Sequence, residues 1–210
     1  MTRHADWYFD FISPFAYLQF KHFHRLPTDL EVDLKPVLFA GLLGHWEHKG
    51  PAEIPAKRVQ TYRHTHWLAK RLGIPFRTPP AHPFNPLRVL RLGLALDADH
   101  AAVEAIFNFI WATGGNVDDD AALARLAARF GVNDLAAAIG RDDVKARLRA
   151  NTEEAIARGV YGVPTFAMGE ELFWGFDATD MFLEYLADPA MMATAEMQRL
   201  KNLPQAARRV

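Results

Sequence analysis

The stretch Asp6-Trp7-Tyr8-Phe9-Asp10-Phe11-Ile12-Ser13-Pro14-Phe15-Ala16-Tyr17-Leu18 decides the fold, because the chain changes from strand to helix inside it. The aromatic-rich segment 7–11 is typical of a buried strand. Ser13 then occupies the position of a helix N-cap, and Pro14 the first helical position, where a missing N–H costs nothing. The sequence therefore places a serine hydroxyl at the positive end of a helix dipole. Two interpretations fit that hydroxyl: it holds an anion or a thiolate, or it only caps the helix.

The composition limits the class of protein. The 210 residues carry a formal net charge of -1, from 24 Lys and Arg against 25 Asp and Glu, and half of them are hydrophobic. The balanced charge lacks the basic excess that nucleic-acid or membrane-surface binding needs, so we expect neither partner. The segment before Asp10 is charged, and no apolar run approaches membrane-spanning length. We therefore expect no signal peptide, no transmembrane span and a cytoplasmic location.

The chain contains no cysteine. Disulfides, thiolate zinc sites and dithiol redox chemistry by the protein itself are therefore excluded. If a thiol takes part in the chemistry, a cofactor must supply it. His45 and His48 with Glu47 between them faintly suggest a metal site, but such histidines are more typical of surface or substrate-loop residues. We predict no metal site.

The order of predicted elements defines the architecture. A half-buried strand is predicted at 30–38, and a strand–helix–strand unit of this size usually pairs in parallel. Helical patterns then fill most of 41–159, with a proline-rich loop at 74–86. The helices are predicted at 55–72, 87–97, 101–112, 121–130, 134–140 and from 141 or 142 to 158. Strand patterns return at 163–168 and 171–174, followed by a helix at 179–186 and a helical tail from 189 to about 200. We therefore predict an α/β fold in which 1–40 and 160–210 form a mixed sheet domain around an inserted helical domain, 41–159.

The segment Gly162-Val163-Pro164-Thr165 is the second candidate for function. A proline that opens a strand is tolerated only at an edge or a first position, and an X-Pro bond is the one at which the cis form costs little. A cis bond here would free the N–H and C=O of Val163 to pair with a peptide-like ligand lying along the strand. An ordinary strand-initiating proline fits the local sequence equally well.

Together these motifs resemble a known family. The S-x-x-A turn in place of C-x-x-C, the helical insertion and G-V-P-T before the last hairpin are similar to the thioredoxin superfamily in its DsbA-like form. More closely, the chain resembles the 2-hydroxychromene-2-carboxylate isomerases, which are glutathione-dependent relatives of kappa-class glutathione transferases. The segments that carry the resemblance are 8–18, 55–58, 82–86, 162–166 and 173–177. The resemblance implies a thioredoxin-like mixed β-sheet with a large all-helical insertion, and a homodimer.

The resemblance also implies the cofactor and the reaction. Glutathione would supply the thiol that the chain lacks, and Ser13 would activate it for reversible addition to a small aromatic carboxylate. The reaction would be of the type that converts 2-hydroxychromene-2-carboxylate to trans-o-hydroxybenzylidenepyruvate. The residues expected at the glutathione site are Ser13, Val163, Pro164, Asp177, Thr179, Asn85 and Lys57. Those expected at the substrate pocket are Phe15, Trp46, His48, Lys57 and Phe84, with Trp67 as a further aromatic.

Two departures from the family bear on substrate choice. Where family members often carry a Gly-Asn pair, this chain has Glu47-His48-Lys49-Gly50, and Ala178 stands where the family has Arg. Two alternative functions also fit. One is a kappa-like glutathione S-transferase that conjugates electrophiles. The other is a non-catalytic peptide-binding protein with a thioredoxin fold, which would need neither Asp177 nor Lys57.

Overall fold

A four-stranded mixed sheet forms the centre of the protein. The computed structural model describes residues 2–207. The strands are β1 (Arg3–Phe9), β2 (Leu30–Pro36), β3 (Thr165–Met168) and β4 (Glu171–Trp174). Their order is β2-β1-β3-β4, with β2 parallel to β1 and the other neighbours antiparallel. The predicted parallel pairing of the first two strands is confirmed.

Helices account for most of the remaining chain. Helix α1 (Pro14–Phe20) connects the two parallel strands, and α9 (Thr179–Ala187) follows the last hairpin. The helices of the central block are α2 (Phe39–His45), α3 (Pro55–Leu72), α4 (Leu87–Ala95), α5 (His100–Phe107), α6 (Asp120–Ala128), α7 (Leu135–Gly140) and α8 (Asp142–Ala157). The tail forms α10 (Ala195–Lys201), and residues 208–210 of the predicted polar tail lie outside the described residues.

Strand β1 is shorter than its aromatic pattern predicts. It ends at Phe9, because the chain turns at Asp10, whose carbonyl accepts the Ser13 N–H at 3.0 Å. The aromatic run therefore continues through Phe11 inside the core but outside the ladder. Where sequence periodicity predicts one helix over 101–112, α5 ends at Phe107 and a π-helical turn follows at Asn108–Ala112.

Among residues 2–207, the larger of two hydrophobic clusters spans the sheet and the helical block. Trp7 stacks on Phe9 at 4.5 Å between ring centroids, and Phe11 contacts Phe107 of α5 at 4.7 Å. On the hairpin side, Phe166 stacks on Phe182 of α9 at 4.3 Å. Since these aromatic side chains are fully buried, they fix the position of the helical block against the ends of β1 and β3. The division of the chain into two domains remains a prediction.

Within residues 2–207, every helix is too short or too polar to cross a lipid bilayer.

Candidate active site

Ser13 lies where β1 gives way to α1. Its φ and ψ of -88° and 114° are extended, and its Oγ accepts the Ala16 N–H at 3.2 Å. Pro14 occupies the first helical position, so the predicted capping arrangement is confirmed. Ser13 is also the only serine of the chain, and only 8% of it is exposed.

The Ser13 hydroxyl faces the segment that precedes β3. It donates to the carbonyl of Val163 at 3.5 Å, the outer limit of a hydrogen bond, across 150 positions of sequence. The Val163–Pro164 peptide bond is cis, as predicted for one of the two interpretations of this proline. The Pro164 carbonyl accepts the Gly175 N–H at 2.8 Å, which joins this segment to the end of β4. The hydroxyl proton of Ser13 is therefore weakly held and available to a ligand.

The segment 175–179 forms the next part of the site. Gly175 has a φ of +95°, and a Cβ there would lie 2.4 Å from Asp177 Oδ1, so the carboxylate occupies space that only glycine leaves open. Asp177 is exposed, whereas Thr179 is buried. The Thr179 hydroxyl donates to the Phe176 carbonyl at 2.5 Å, and its N–H points to the same carbonyl at 3.2 Å. The hydroxyl and the N–H of Thr179, the two groups with which it could bind glutathione, are thus both engaged within the protein.

A buried amide positions this segment, and the sequence analysis did not find it. Gln19 of α1 accepts the Trp7 indole N–H at 2.6 Å. Its Nε2 donates to the Gly175 carbonyl and to Thr179 Oγ1, each at 2.9 Å. Because Gln19 lies on the same helix that Ser13 caps, it sets the distance between the serine and the Asp177 segment.

Replacing Gln19 by leucine should destabilise the protein by about 2 kcal/mol, because a buried indole N–H and a carbonyl lose their partner. The measurement is urea unfolding followed by circular dichroism. Gln60→Leu on the exposed face of α3 is the matched control and should change the free energy of unfolding by less than about 0.5 kcal/mol. Equal, small effects of the two variants would contradict a structural role for Gln19.

A buried carboxylate lies behind the serine turn and was also missed. Asp10 is fully buried, with Oδ1 accepting the Ile12 N–H at 3.0 Å and Oδ2 the Phe39 N–H at 2.9 Å. Burial raises the pKa of Asp10 to about 7, although the two N–H donors lower it in part. The carboxylate thus ties the Ser13 turn to the start of α2.

The remaining residues predicted for the site differ in exposure and in their contacts. Lys57, His48 and Asn85 are exposed, and the Asn85 side chain accepts the Leu87 N–H at 3.0 Å at the start of α4. Phe15 is half-buried and meets His64 edge-on at 5.8 Å.

The predicted aromatic pocket residues differ in their environments. Trp46 is 41% exposed, and its indole N–H donates to the Val160 carbonyl at 2.9 Å, close in sequence to Val163. Phe84 is buried, with its ring 6.5 Å from that of Trp111, whereas Trp67 is 53% exposed on α3. Trp46 is therefore the predicted pocket aromatic that the structure links most directly to the segment facing Ser13.

Comparison with known proteins agrees with this architecture. A family model for DSBA-like thioredoxin domains matches residues 5–187. Glutathione S-transferase kappa 2 of Caenorhabditis elegans is 29% identical over 209 residues, which cover 88% of this chain and 92% of that protein. A 2-hydroxychromene-2-carboxylate isomerase of Pseudomonas sp. (strain C18) is 30% identical over 184 residues, 82% of this chain and 85% of that protein.

Structural comparison gives the same result. A solved structure of 2-hydroxychromene-2-carboxylate isomerase matches with a TM-score of 0.75 at 25% identity, covering 92% of this chain and 98% of its own. The thioredoxin-like fold with a helical insertion is thereby confirmed. The chain belongs to the DsbA-like thioredoxin family, and within it to the family of 2-hydroxychromene-2-carboxylate isomerase, which is related to the kappa-class glutathione transferases.

Proposed function

We propose that the protein is a glutathione-dependent isomerase of a small aromatic carboxylate. The observation that carries the proposal is the Ser13 hydroxyl. It is buried, fixed at a helix start, and holds its proton only by a 3.5 Å contact with Val163. A donor of this kind suits a thiolate, and a chain without cysteine must take that thiolate from a ligand.

The residues around Ser13 fit a bound tripeptide thiol. When bound, glutathione supplies a nucleophile whose reversible addition to a conjugated substrate would convert a double bond into a single bond that can rotate, before elimination of the thiol restores the double bond. The protein's part is to bind and orient. Ser13 would donate its hydroxyl to the sulfur, and the Val163 backbone would pair with the cysteinyl part of the tripeptide. The donor lowers the pKa of the thiol from about 8.5 toward neutrality.

Two charged side chains would anchor the reactants, one binding glutathione and the other the substrate. Asp177 presents an exposed carboxylate beside the Pro164 segment, where it suits the γ-glutamyl ammonium. Lys57 presents an exposed ammonium in the first turn of α3, and it suits the carboxylate of an aromatic substrate. A purely peptide-binding protein would need neither anchor.

A glutathione transferase is the second candidate, because one relative carries that name at 29% identity. Both reactions use Ser13 in the same way, so the fate of glutathione distinguishes them. Isomerisation of 2-hydroxychromene-2-carboxylate leaves the thiol concentration unchanged, whereas conjugation of an aryl halide consumes it. Thiol titration during turnover with each compound decides between the two, and no turnover with either would favour the non-catalytic alternative.

Reduced glutathione should raise the melting temperature by a few degrees at about ten times its Kd, because it binds the folded state alone. Differential scanning fluorimetry measures the shift. Asp177→Asn should raise the apparent Kd for glutathione at least several-fold, since it removes the charge that faces the ammonium. Asp180→Asn is the matched control, because Asp180 forms a surface ion pair with Arg25 on the neighbouring turn. The absence of any shift at millimolar glutathione would contradict the proposed cofactor.

A further inference from the structure

Two side chains from the helical block hold the backbone just before Ser13. The Trp111 indole N–H donates to the Phe11 carbonyl at 2.8 Å. His82 Nε2 lies 2.8 Å from the Ile12 carbonyl, from a position 70 residues away in sequence. Both carbonyls immediately before the serine are thus held by groups from outside the turn, while Asp10 holds the Ile12 N–H.

The contacts of His82 define its proton positions. A carbonyl oxygen only accepts hydrogen bonds, so Nε2 must carry a proton. On the other side of the ring, Tyr62 Oη lies 2.9 Å from Nδ1 and 2.6 Å from the carbonyl oxygen of His82, so the single phenol proton is shared between these two acceptors. The phenol of Tyr62 therefore contacts both the ring and the backbone of His82. These contacts fix the orientation of the imidazole relative to its own main chain.

Aromatic packing prevents the imidazole from reorienting. Its centroid lies 5.3 Å from that of Tyr62, 5.4 Å from Trp111 and 5.9 Å from Phe84, each close to edge-on. Burial also lowers the pKa of His82, which favours the neutral form with a single donor at Nε2. Arg58 is a charged group close to the Tyr62 side of this cluster, where it lowers the pKa of the phenol against the effect of burial.

We propose that His82, clamped by Tyr62, is a positioning residue for the reaction at Ser13. Its Nε2–H holds the carbonyl of Ile12 and so fixes the peptide plane that leads into the serine. This role rests on the proposed function of Ser13 as the group that activates glutathione. The direction of a single hydroxyl depends on that plane, and a displacement of about 1 Å in a reacting group can cost as much as 100-fold in rate.

The test compares two substitutions at one position. His82→Leu removes the donor and introduces an apolar side chain of similar size. His82→Gln instead places an amide donor near the position of Nε2. We expect His82→Leu to lower kcat about tenfold with little change in the KM for glutathione. It should also raise the pKa of the bound thiol, as read from ultraviolet thiolate absorbance. His82→Gln should restore most of kcat, and His66→Leu on the exposed face of α3 should match the wild type.

A second measurement needs no ligand. The Ala16 N–H is held by Ser13 Oγ, so its hydrogen–deuterium exchange reports the position of the serine. We expect faster exchange at Ala16 in His82→Leu than in His82→Gln, with Tyr62→Phe between them. Wild-type exchange in His82→Leu, or equal impairment in the leucine and glutamine variants, would overturn the proposal. If the wild type lacks glutathione-dependent turnover, the proposed function fails, and the exchange of Ala16 still decides whether His82 positions Ser13.

Discussion

Ser13→Ala should lower glutathione-dependent turnover about 100-fold. An enzyme typically loses this much activity when one hydrogen-bond donor to a negative charge at the reacting centre is removed. The hydroxyl has two uses in the structure, since its lone pair caps α1 through the Ala16 N–H and its proton points to Val163. Alanine removes both. The loss should appear in kcat/KM and as a rise in the pKa of the bound thiol toward about 8.5.

Three variants separate the chemical role of the serine from its capping role. Ser13→Thr keeps both the cap and the donor and should retain most activity. Ser13→Gly keeps the helix within a few tenths of a kcal/mol but lacks the hydroxyl, so it should be as inactive as alanine. Asp134→Ala is the distant control, because it removes the N-cap of α7 and leaves the site intact. It should lose stability but not activity.

If glycine at position 13 supports wild-type turnover, the hydroxyl does not activate the thiol. The same conclusion follows if alanine and the Asp134 variant lose activity in proportion to their loss of stability. Turnover is therefore compared at a temperature where every variant is fully folded, as shown by circular dichroism.

Local signals explain why much of the fold can be predicted from sequence. Helix α3 has the bounds 55–72 that its pattern predicts, because a proline begins it and Gly73, with a φ of +67°, ends it. Strand β4 also has its predicted bounds, since it follows a tight Gly-Glu turn. The Ser13 cap depends only on the next three residues. Each of these features is determined by neighbours in sequence.

The missed residues depend on partners that are distant in the chain. Gln19 bonds Gly175 across 156 positions, and His82 bonds the carbonyl of Ile12 across 70. Asp10 bonds the Phe39 N–H across 29 positions, at the start of α2. No local pattern distinguishes these polar side chains from solvated ones. A polar residue inside a strongly apolar run, such as Asp10 between Phe9 and Phe11, is the one signal that sequence alone provides.

Asp10 should make the free energy of unfolding fall as pH rises, which is the opposite of the usual effect of a carboxylate. Most buried carboxylates are paired with a cation, but no lysine or arginine within residues 2–207 forms an ion pair with Asp10. Burial therefore dominates and raises the pKa of Asp10 from 3.8 to about 7. Between these two pH values the folded protein holds a proton that the unfolded chain has released. The free energy of unfolding should fall as pH rises through this range.

Asp10→Asn isolates this contribution, since asparagine does not titrate. The free energy of unfolding, wild type minus variant, should fall by on the order of 3 kcal/mol between pH 5 and pH 8, because each pKa unit corresponds to about 1.4 kcal/mol. Urea unfolding at a series of pH values measures the difference. Burial lowers the pKa of His82, so its titration makes the free energy of unfolding rise with pH. This contribution is the same in both proteins and cancels in the subtraction.

Asp33→Asn is the matched control for Asp10→Asn, because Asp33 is exposed on the edge strand β2 and its replacement should leave the pH profile nearly unchanged. A difference that is constant between pH 5 and pH 8, and grows with pH only below about pH 4, would mean that the N–H groups of Ile12 and Phe39 outweigh burial and hold the pKa of Asp10 below 3.8. In that case the carboxylate would stay charged between pH 5 and pH 8, and its two hydrogen bonds would stabilise the Ser13 turn over that whole range. With the pKa near 7, ionisation instead strengthens these two hydrogen bonds but leaves an unpaired charge buried, and the cost of that buried charge lowers the stability of the protein. The activity of Asp10→Asn should then vary less with pH near neutrality than that of the wild type.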